Sequence, residues 1–260
     1  MMDWWQALQA RADQPPRVVR DALHVASGAF AIGSIEPALA ERMAVAGLPI
    51  VTAATGWHIA GGTPLNAAFA RIAGWLRDQG LASAWRDELL SVGDAAGTPV
   101  GAIERAAVRP LGIATRAVHL VGRAEQGGVW VQQRAFDKST DPGQWDTLMG
   151  GLVAADEAIA DTLARETWEE AGLRVDALHD VKACGELTVR RPVSNGYMIE
   201  HIQVFEAVIP ASLVPLNQDG EVAAFERLSD GDLRERLLAD AFTLEAALIL
   251  GGWLAQSKRG

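Results

Sequence analysis

The feature that most constrains this chain is a short acidic segment, RETWEEAGL, at residues 165–173. It places Glu166, Glu169 and Glu170 three and four residues apart, a spacing that makes them neighbours on the surface of a helix. Each like-charge pair at this spacing destabilises a helix by roughly 0.2–0.5 kcal/mol. Such a helix either leaves its carboxylates in water or uses them to hold a cation, and the rest of the sequence has to decide between the two.

The residues around this segment predict where the helix begins and ends. Asp156 can cap its first free backbone N–H groups, and Gly172 suits the left-handed position that follows a helix. The glutamates occupy the face beside the Gly150-Gly151 turn. Four small side chains on the adjoining face would let the helix lie close to a sheet: Ala160, Ala164, Thr167 and Ala171.

The overall composition excludes several classes of protein. A net charge of −10 and a pI near 5.0 argue against a protein that coats nucleic acid or anionic membrane. The single cysteine, Cys184, permits no intramolecular disulfide and is predicted to be a small buried apolar residue. With no secretory signal and no run of 18 apolar residues, the sequence predicts a soluble, cytoplasmic protein.

Two structural regions are expected along the chain. The first contains a helical opening segment, a strand at 28–35, a helix closed by Gly47, a helix at 66–80 and two short extended segments. The second contains a strand pair in IATRAVHLVG and VWVQQRAF, the acidic helix, two further strands and a helical end from about Gly231. We therefore predict an α+β chain with an N-terminal domain at 1–108 and a second domain at 109–260.

The acidic helix is part of a longer pattern. Gly151 is followed after five residues by Glu157 and, after seven more, by Arg165-Glu166, Glu169-Glu170 and Gly172-Leu173. This spacing resembles the Nudix box, G-x5-E-x7-R-E-U-x-E-E-x-G-U, with Thr167 where the box has a bulky aliphatic residue. Further stretches, among them WRDELLSV, IERAA and NQDGEV, resemble the Nudix subfamily with an N-terminal DUF4743 domain, which is related to thiamin pyrophosphokinase-linked proteins.

The resemblance implies a Nudix α/β/α sandwich that binds Mg²⁺ or Mn²⁺ and a small-molecule diphosphate. It makes Glu169 and Glu170 the principal metal ligands, with the Gly151 carbonyl beside them. It makes Glu166 a further ligand or the base that activates water. Arg165 is implied to orient these carboxylates and Glu157 to support the loop. Homodimers are common among such proteins, so a homodimer is also among the implied partners.

Residues outside the box are candidates with two readings each. Glu200 is a catalytic carboxylate, acting as another metal ligand or as a base, or it is an outward strand carboxylate. Glu221 has a family-like position or starts a strand. Arg134 and Lys138 bind substrate phosphate or are surface cations.

Three aromatic or imidazole side chains also have alternative readings. Trp145 and Tyr197 stack on a substrate ring or belong to the core and its rim. His119, on an apolar strand, is expected to be a structural histidine rather than a ligand.

The predicted function is metal-dependent hydrolysis of an organic diphosphate. By resemblance to the subfamily, the first expected substrate is thiamin diphosphate or its oxidised analogues, cleaved to the monophosphate. The alternatives are an ADP-ribose, nucleotide-sugar or NADH pyrophosphatase and, in another class, an inactive Nudix-fold binding module. Isopentenyl diphosphate isomerisation is rejected because WDTLMGGL, ahead of the acidic helix, contains neither cysteine nor histidine.

Overall fold

A computed structural model describes residues 2–25, 30–94 and 97–256. The elements of its first part are α1 (Met2–Ala12), β1 (Asp21–Val25), β2 (Ala31–Ile35), α2 (Pro37–Val45), β3 (Ile50–Ala53), β4 (Gly56–Ile59), α3 (Leu65–Asp78), β5 (Leu89–Gly93) and β6 (Pro99–Glu104). Strands β1 to β4 form one sheet in the order β2-β1-β4-β3, and β5 and β6 form a hairpin.

A single apolar core holds most of this first part together. Helix α3 supplies Phe69, Ile72 and Leu76, all fully buried, because apolar residues recur along it at helical spacing. The core continues past the hairpin to Leu111 and Ile113. The first part is therefore packed directly onto the beginning of the next strand.

The sequence predicted the helices of this region better than its strands. All three predicted helices occur, and the predicted strand at 28–35 is present from Ala31 to Ile35, with positions 28 and 29 outside the described residues. Strands β1, β3 and β4 were not predicted. Strand β3 shows why: only Ile50 of its four residues is buried, so it lacks an alternating apolar pattern.

The second part contains β7 (Ala114–Ala124), β8 (Val129–Arg134), β9 (Trp145–Asp146), β10 (Met149–Leu152), α4 (Ile159–Ala171), β11 (His179–Val193), β12 (Gly196–Ile209), β13 (Val222–Leu228), α5 (Asp230–Leu238) and α6 (Leu244–Gln256). Its sheet runs in the order β11-β12-β7-β8-β13, with β10 on β7 and β9 on β8. Strands β7 and β12 are parallel, and the other pairs are antiparallel.

Two cores cover the two faces of this sheet. Val118 and Leu120 of β7 pack on the side of α4, whereas Ala117 and Val121 pack on the side of α5 and α6. This alternation follows from the two-residue repeat of a strand. The predicted α+β class and the α/β/α sandwich are confirmed.

Helix α1 does not pack into the first core. Leu8 and Ala12 belong to the core beneath α6, and α1 contacts α6 and β11. The N-terminal helix therefore reaches across to the second part of the chain, and the domain boundary near residue 108 stays a prediction. No helix within the described ranges has both the length and the apolar character needed to cross a membrane.

Candidate functional site

Helix α4 ends as predicted but begins differently. Gly172 has φ of 63°, and its N–H donates to the Trp168 carbonyl oxygen at 2.8 Å. Ala158, not Asp156, is the residue at the N-cap, and no side chain caps the helix there. The prediction for Asp156 is wrong because the chain turns into the helix two residues later.

The buried face of α4 also differs from the predicted face of small residues. Ala160 and Ala164 are exposed. The face that packs against the sheet carries larger and polar side chains: Thr162, Leu163, Thr167, Glu170 and Ala171. The helix is rotated relative to the prediction, and this rotation carries Glu170 inward.

The guanidinium of Arg165 holds three carboxylates. Its Nε and Nη2 donate to Glu157 at 2.6 and 2.8 Å, and its Nη1 donates to Glu166 and Glu169, both at 2.9 Å. Arg165 lowers the pKa of Glu157 to about 2, chiefly through these hydrogen bonds. Arg165 therefore fixes the loop carboxylate and two helix carboxylates in one arrangement.

Glu170 is the most deeply buried carboxylate of the helix, at 2% exposure. Its Oε2 accepts from the backbone N–H of Gly150 at 3.0 Å and from Gln132 Nε2 at 2.8 Å. Lys138 Nζ lies 3.7 Å from its Oε1. Burial raises the pKa of Glu170 to about 7, against the attraction of Lys138.

Glu166 lies directly against Gly151. A Cβ added to Gly151 would be 2.1 Å from both Cδ and Oε1 of Glu166, so only glycine leaves room for this carboxylate. Burial and then the neighbouring Glu170 charge raise the pKa of Glu166 to about 8. The strand end and the helix are thus brought together, as the spacing of the box requires.

A cavity of about 170 Å³ opens beside these residues. Gly151, Glu166, Glu170, Arg134 and Lys138 line it. Glu169 is not among the lining residues, and its side chain is 42% exposed. The structure therefore brings together most of the predicted metal site but leaves Glu169 at its outer edge, bonded to Arg165.

Glu200 of β12 also lines this cavity. It is opposite Thr115 of β7, whose hydroxyl donates to it at 3.3 Å, and burial raises its pKa to about 7. Glu245 of α6 lies nearby and raises the pKa of Glu200 further. The inward position of Glu200 agrees with the reading of a site carboxylate over that of an outward strand residue.

The predicted phosphate contacts are partly engaged within the protein. Arg134 donates to the Thr140 carbonyl oxygen and to Asp146, at 3.0 and 3.4 Å. Lys138 forms a close ion pair with Glu221 in addition to its contact with Glu170. Both cations face the cavity, and Glu221 joins them there.

The predicted aromatic contacts lie elsewhere. Tyr197 is 7% exposed and its hydroxyl donates to the Gln14 carbonyl oxygen at 2.7 Å. The ring of Trp145 packs against the core on the side of α5 and α6, and the guanidinium of Arg236 lies over it. Neither ring lines the cavity, so neither can stack on a substrate bound there without a rearrangement.

His119 is buried at the cavity wall and has a hydrogen-bond partner. Thr147 gives its one hydroxyl hydrogen to the Met149 carbonyl oxygen, so His119 Nδ1 donates to Thr147 Oγ1 at 2.8 Å. Burial lowers the pKa of His119.

Cys184 is exposed on β11. The prediction that it is buried is wrong, because β11 is the edge strand of the sheet and few of its residues are covered.

Several cavity residues were not identified from the sequence. Glu245 is the single charge in the apolar run FTLEAALIL, and this isolation was the available signal. Arg191 pairs with it at 3.5 Å. Three arginines from the region before β7 also line the cavity, and no local pattern distinguishes them from surface residues: Arg86, Arg105 and Arg109.

The donor set suits a divalent cation such as Mg²⁺ or Mn²⁺. Glu166 and Glu170 offer carboxylate oxygens beside a glycine that admits close approach, and such hard oxygen ligands are those that Mg²⁺ prefers. Within the described part of the chain, no three acidic, histidine or cysteine side chains converge as a metal cluster. The carboxylates of Glu166 and Glu169 are instead bonded to Arg165, which holds them away from a shared metal position.

Residues 113–246 match the family model of the NUDIX domain. Nudix hydrolase 20 of Arabidopsis thaliana, a chloroplastic protein, is 31% identical over 58% of this chain and 41% of its own length. The chain thus spans about two-fifths of that relative.

Two further matches cover most of the compared protein. An isopentenyl-diphosphate Delta-isomerase of Brevibacterium linens is 31% identical over 62% of this chain and 88% of its own length. The crystal structure of DR0079 from Deinococcus radiodurans has a TM-score of 0.49 and 25% identity, covering 60% of this chain and 92% of that one.

Proposed function

The chain belongs to the Nudix family, and from this premise we propose that it is a divalent-metal-dependent hydrolase of organic diphosphates. The observation that carries the proposal is the set of box residues around one cavity. Arg165 binds Glu157, Glu166 and Glu169, while Glu170 and Gly151 line the cavity itself. Every charged position of the box is present, which argues against the inactive binding module.

Residues of the cavity have distinct roles in this proposal. Glu166, Glu170 and the Gly151 carbonyl would hold Mg²⁺ or Mn²⁺, with Glu169 joining them on release from Arg165. When bound, the cation neutralises diphosphate oxygens and lowers the pKa of a coordinated water. Arg134 and Lys138, which face the same cavity, are placed to contact phosphate oxygens.

The reaction needs an acceptor for the proton of the attacking water. Glu200 faces the cavity, and burial raises its pKa to about 7, in the range in which a general base works at neutral pH. Water oxygen bonds to one phosphorus, and the bridging oxygen leaves with the electrons of its broken P–O bond. The products are a monophosphate and a second phosphate, with the proton on the carboxylate.

The first substrate that we propose is thiamin diphosphate or one of its oxidised analogues, on the strength of the resemblance to the thiamin-related subfamily. ADP-ribose, nucleotide sugars and NADH are the alternatives. Isomerisation of isopentenyl diphosphate is not proposed, although an isomerase is among the relatives. Cys184, the only cysteine, is exposed and does not line the cavity.

The test is turnover by purified protein with Mg²⁺ or Mn²⁺ on thiamin diphosphate, oxothiamin diphosphate, ADP-ribose and NADH, with products identified by mass. We expect thiamin-type diphosphates to give monophosphates, and Glu170→Gln to abolish this activity. Glu235→Gln is the matched control, because Glu235 is an exposed helix carboxylate away from the cavity. Turnover of nucleotide substrates alone would retain the hydrolase and exclude the thiamin assignment.

Absence of metal-dependent turnover on all four compounds would contradict the proposed substrates. Calorimetric titration with Mn²⁺ then distinguishes the remaining readings. Mn²⁺ binding that Glu170→Gln abolishes would retain the metal site, and absence of binding would remove it.

A further inference from the structure

The cavity has a second compartment in which positive charge predominates. A smaller space of about 70 Å³ adjoins the first cavity and shares part of its wall, including Arg86, Arg105, Arg109 and Glu200. In the smaller space these three arginines face a single carboxylate, Glu200. A net positive compartment is notable in a chain whose overall charge is −10. The positive charge of this compartment therefore comes from its own lining residues and is opposite in sign to the net charge of the chain.

The three arginines come from the part of the chain before β7, and they keep donors free. Arg86 is exposed, and its side chain makes no salt bridge with any residue of the described part. Arg105 uses Nη1 to bind Glu88 at 2.7 Å. A guanidinium has five N–H donors, so most donors of Arg86 and Arg105 remain available to a ligand.

Arg109 is half-buried between the two parts of the chain. Its Nη2 lies 4.0 Å from Met198 Sδ, and no described carboxylate forms a salt bridge with it. The charge of Glu200 attracts its guanidinium, and the charges of Arg191 and Arg105 act against it from nearby. A charged group withdrawn from water normally has a partner, and like charges gathered together favour an anion between them.

The chemistry and size of this compartment suit phosphate. Ser83, Ser139 and Thr140 also line this compartment. Guanidinium and hydroxyl groups are common phosphate donors. A cavity of about 150 Å³ can hold benzene, so a space of about 70 Å³ admits a group smaller than an aromatic ring.

We propose that Arg86, Arg105 and Arg109 form a phosphate subsite that holds the terminal phosphoryl group of the substrate. This inference rests on the proposed function and narrows its substrate class to diphosphates with a free end. A diphosphate that is esterified on both sides, as in ADP-ribose, would have to place a sugar in the small compartment. The N-terminal region thus completes the site and selects among substrates.

The first experiment measures binding of inorganic phosphate by calorimetry to metal-free protein in EDTA, with acetate as the comparison anion. Wild-type protein is expected to bind phosphate saturably and acetate at least tenfold more weakly. Arg86→Met and Arg109→Met are each expected to weaken phosphate binding at least fivefold. Arg71→Met is the control, because Arg71 is an exposed arginine of the same region that bonds to the Gly47 carbonyl oxygen. Since Arg86 is exposed, its variant tests the subsite without disturbing the core.

The second experiment separates this inference from the proposed function. Arg86→Met is expected to raise KM for a diphosphate monoester at least tenfold while kcat changes less than threefold. If the wild type hydrolyses diphosphates but Arg86→Met and Arg109→Met bind phosphate and substrate normally, the subsite is wrong and the hydrolase stands. If phosphate binding depends on the arginines but no diphosphate is hydrolysed, the subsite stands and the proposed function is wrong.

Discussion

Arg165 binds Glu157 across eight residues with two hydrogen bonds, of 2.6 and 2.8 Å, from Nε and Nη2. This two-point contact joins the loop after β10 to the body of α4. The two side chains are 33% and 21% exposed, so solvent screens the pair only in part. The contact both fixes Arg165 for Glu166 and Glu169 and contributes to stability.

The Glu157–Arg165 pair predicts a defined pH dependence of stability. The pKa of Glu157 is lowered to about 2 from 4.5, so its contribution is present above 4.5 and is lost as the pH falls through about 2. Glu157→Gln should reduce the free energy of unfolding by on the order of 1 kcal/mol at pH 7. Urea unfolding at pH 7 and at the lowest pH at which the protein stays folded measures this difference, which should shrink toward acid pH.

The control for that measurement is a pair of the same chemistry on the surface. Arg174 and Asp176 contact each other at 2.8 Å with both side chains about 70% exposed. Asp176→Asn should change stability little at any pH. Equal effects of Glu157→Gln and Asp176→Asn would show that the loop contact is no stronger than a surface pair.

The raised pKa of Glu166 predicts that its contribution to stability falls, rather than rises, as the pH increases. Its pKa is raised to about 8 from 4.5, so the folded protein binds this proton more tightly, and the charged form costs stability increasingly between these pH values. Glu166→Gln should therefore raise Tm in EDTA at pH 8.5, by roughly 2–6 °C, and by much less at pH 5. An equal change in Tm at both pH values would contradict the assignment.

Gly151 tests the contact between β10 and α4. In Gly151→Ala the new methyl group would occupy the position of the Glu166 carboxylate, which is the flexible end of its side chain and can move away. We expect Tm to change little and kcat/KM to fall on the order of 100-fold, because misplacing a catalytic group by about 1 Å has that effect. Gly74→Ala, where nothing lies within 4 Å of the new Cβ, should keep full activity.

Tyr197 tests whether its ring takes part in substrate binding. Its hydroxyl bonds to the Gln14 carbonyl oxygen and its ring is buried away from the cavity. Tyr197→Phe should leave KM unchanged and reduce the free energy of unfolding by about 1 kcal/mol, the usual contribution of one hydrogen bond. Steady-state kinetics and urea unfolding give the two values. A several-fold rise in KM with unchanged stability would restore the substrate role.

The spacing of Gly151, Glu157, Arg165 and the helix glutamates could be read from the sequence because these residues act through local geometry. A turn, a loop and one helix bring them together within 20 residues. The helix end at Gly172 is local in the same way, since only the backbone conformation of that residue decides it. The same local reading failed for Asp156, because the loop before the helix is held by β5, where the Ala155 N–H donates to the Leu89 carbonyl oxygen at 2.8 Å.

The other residues that line the cavity could be located only from the tertiary structure. Glu200 reaches it through the parallel pairing of β12 with β7, and Glu245 through the packing of α6 on the sheet. Arg86 and Arg105 reach it because the first core is packed directly onto the beginning of β7. Contacts between residues so far apart in the chain leave no periodic trace in the sequence. The sequence by itself therefore determined the local arrangement of the turn, the loop and the acidic helix. Only long-range packing decided which charged residues from the rest of the chain face that arrangement.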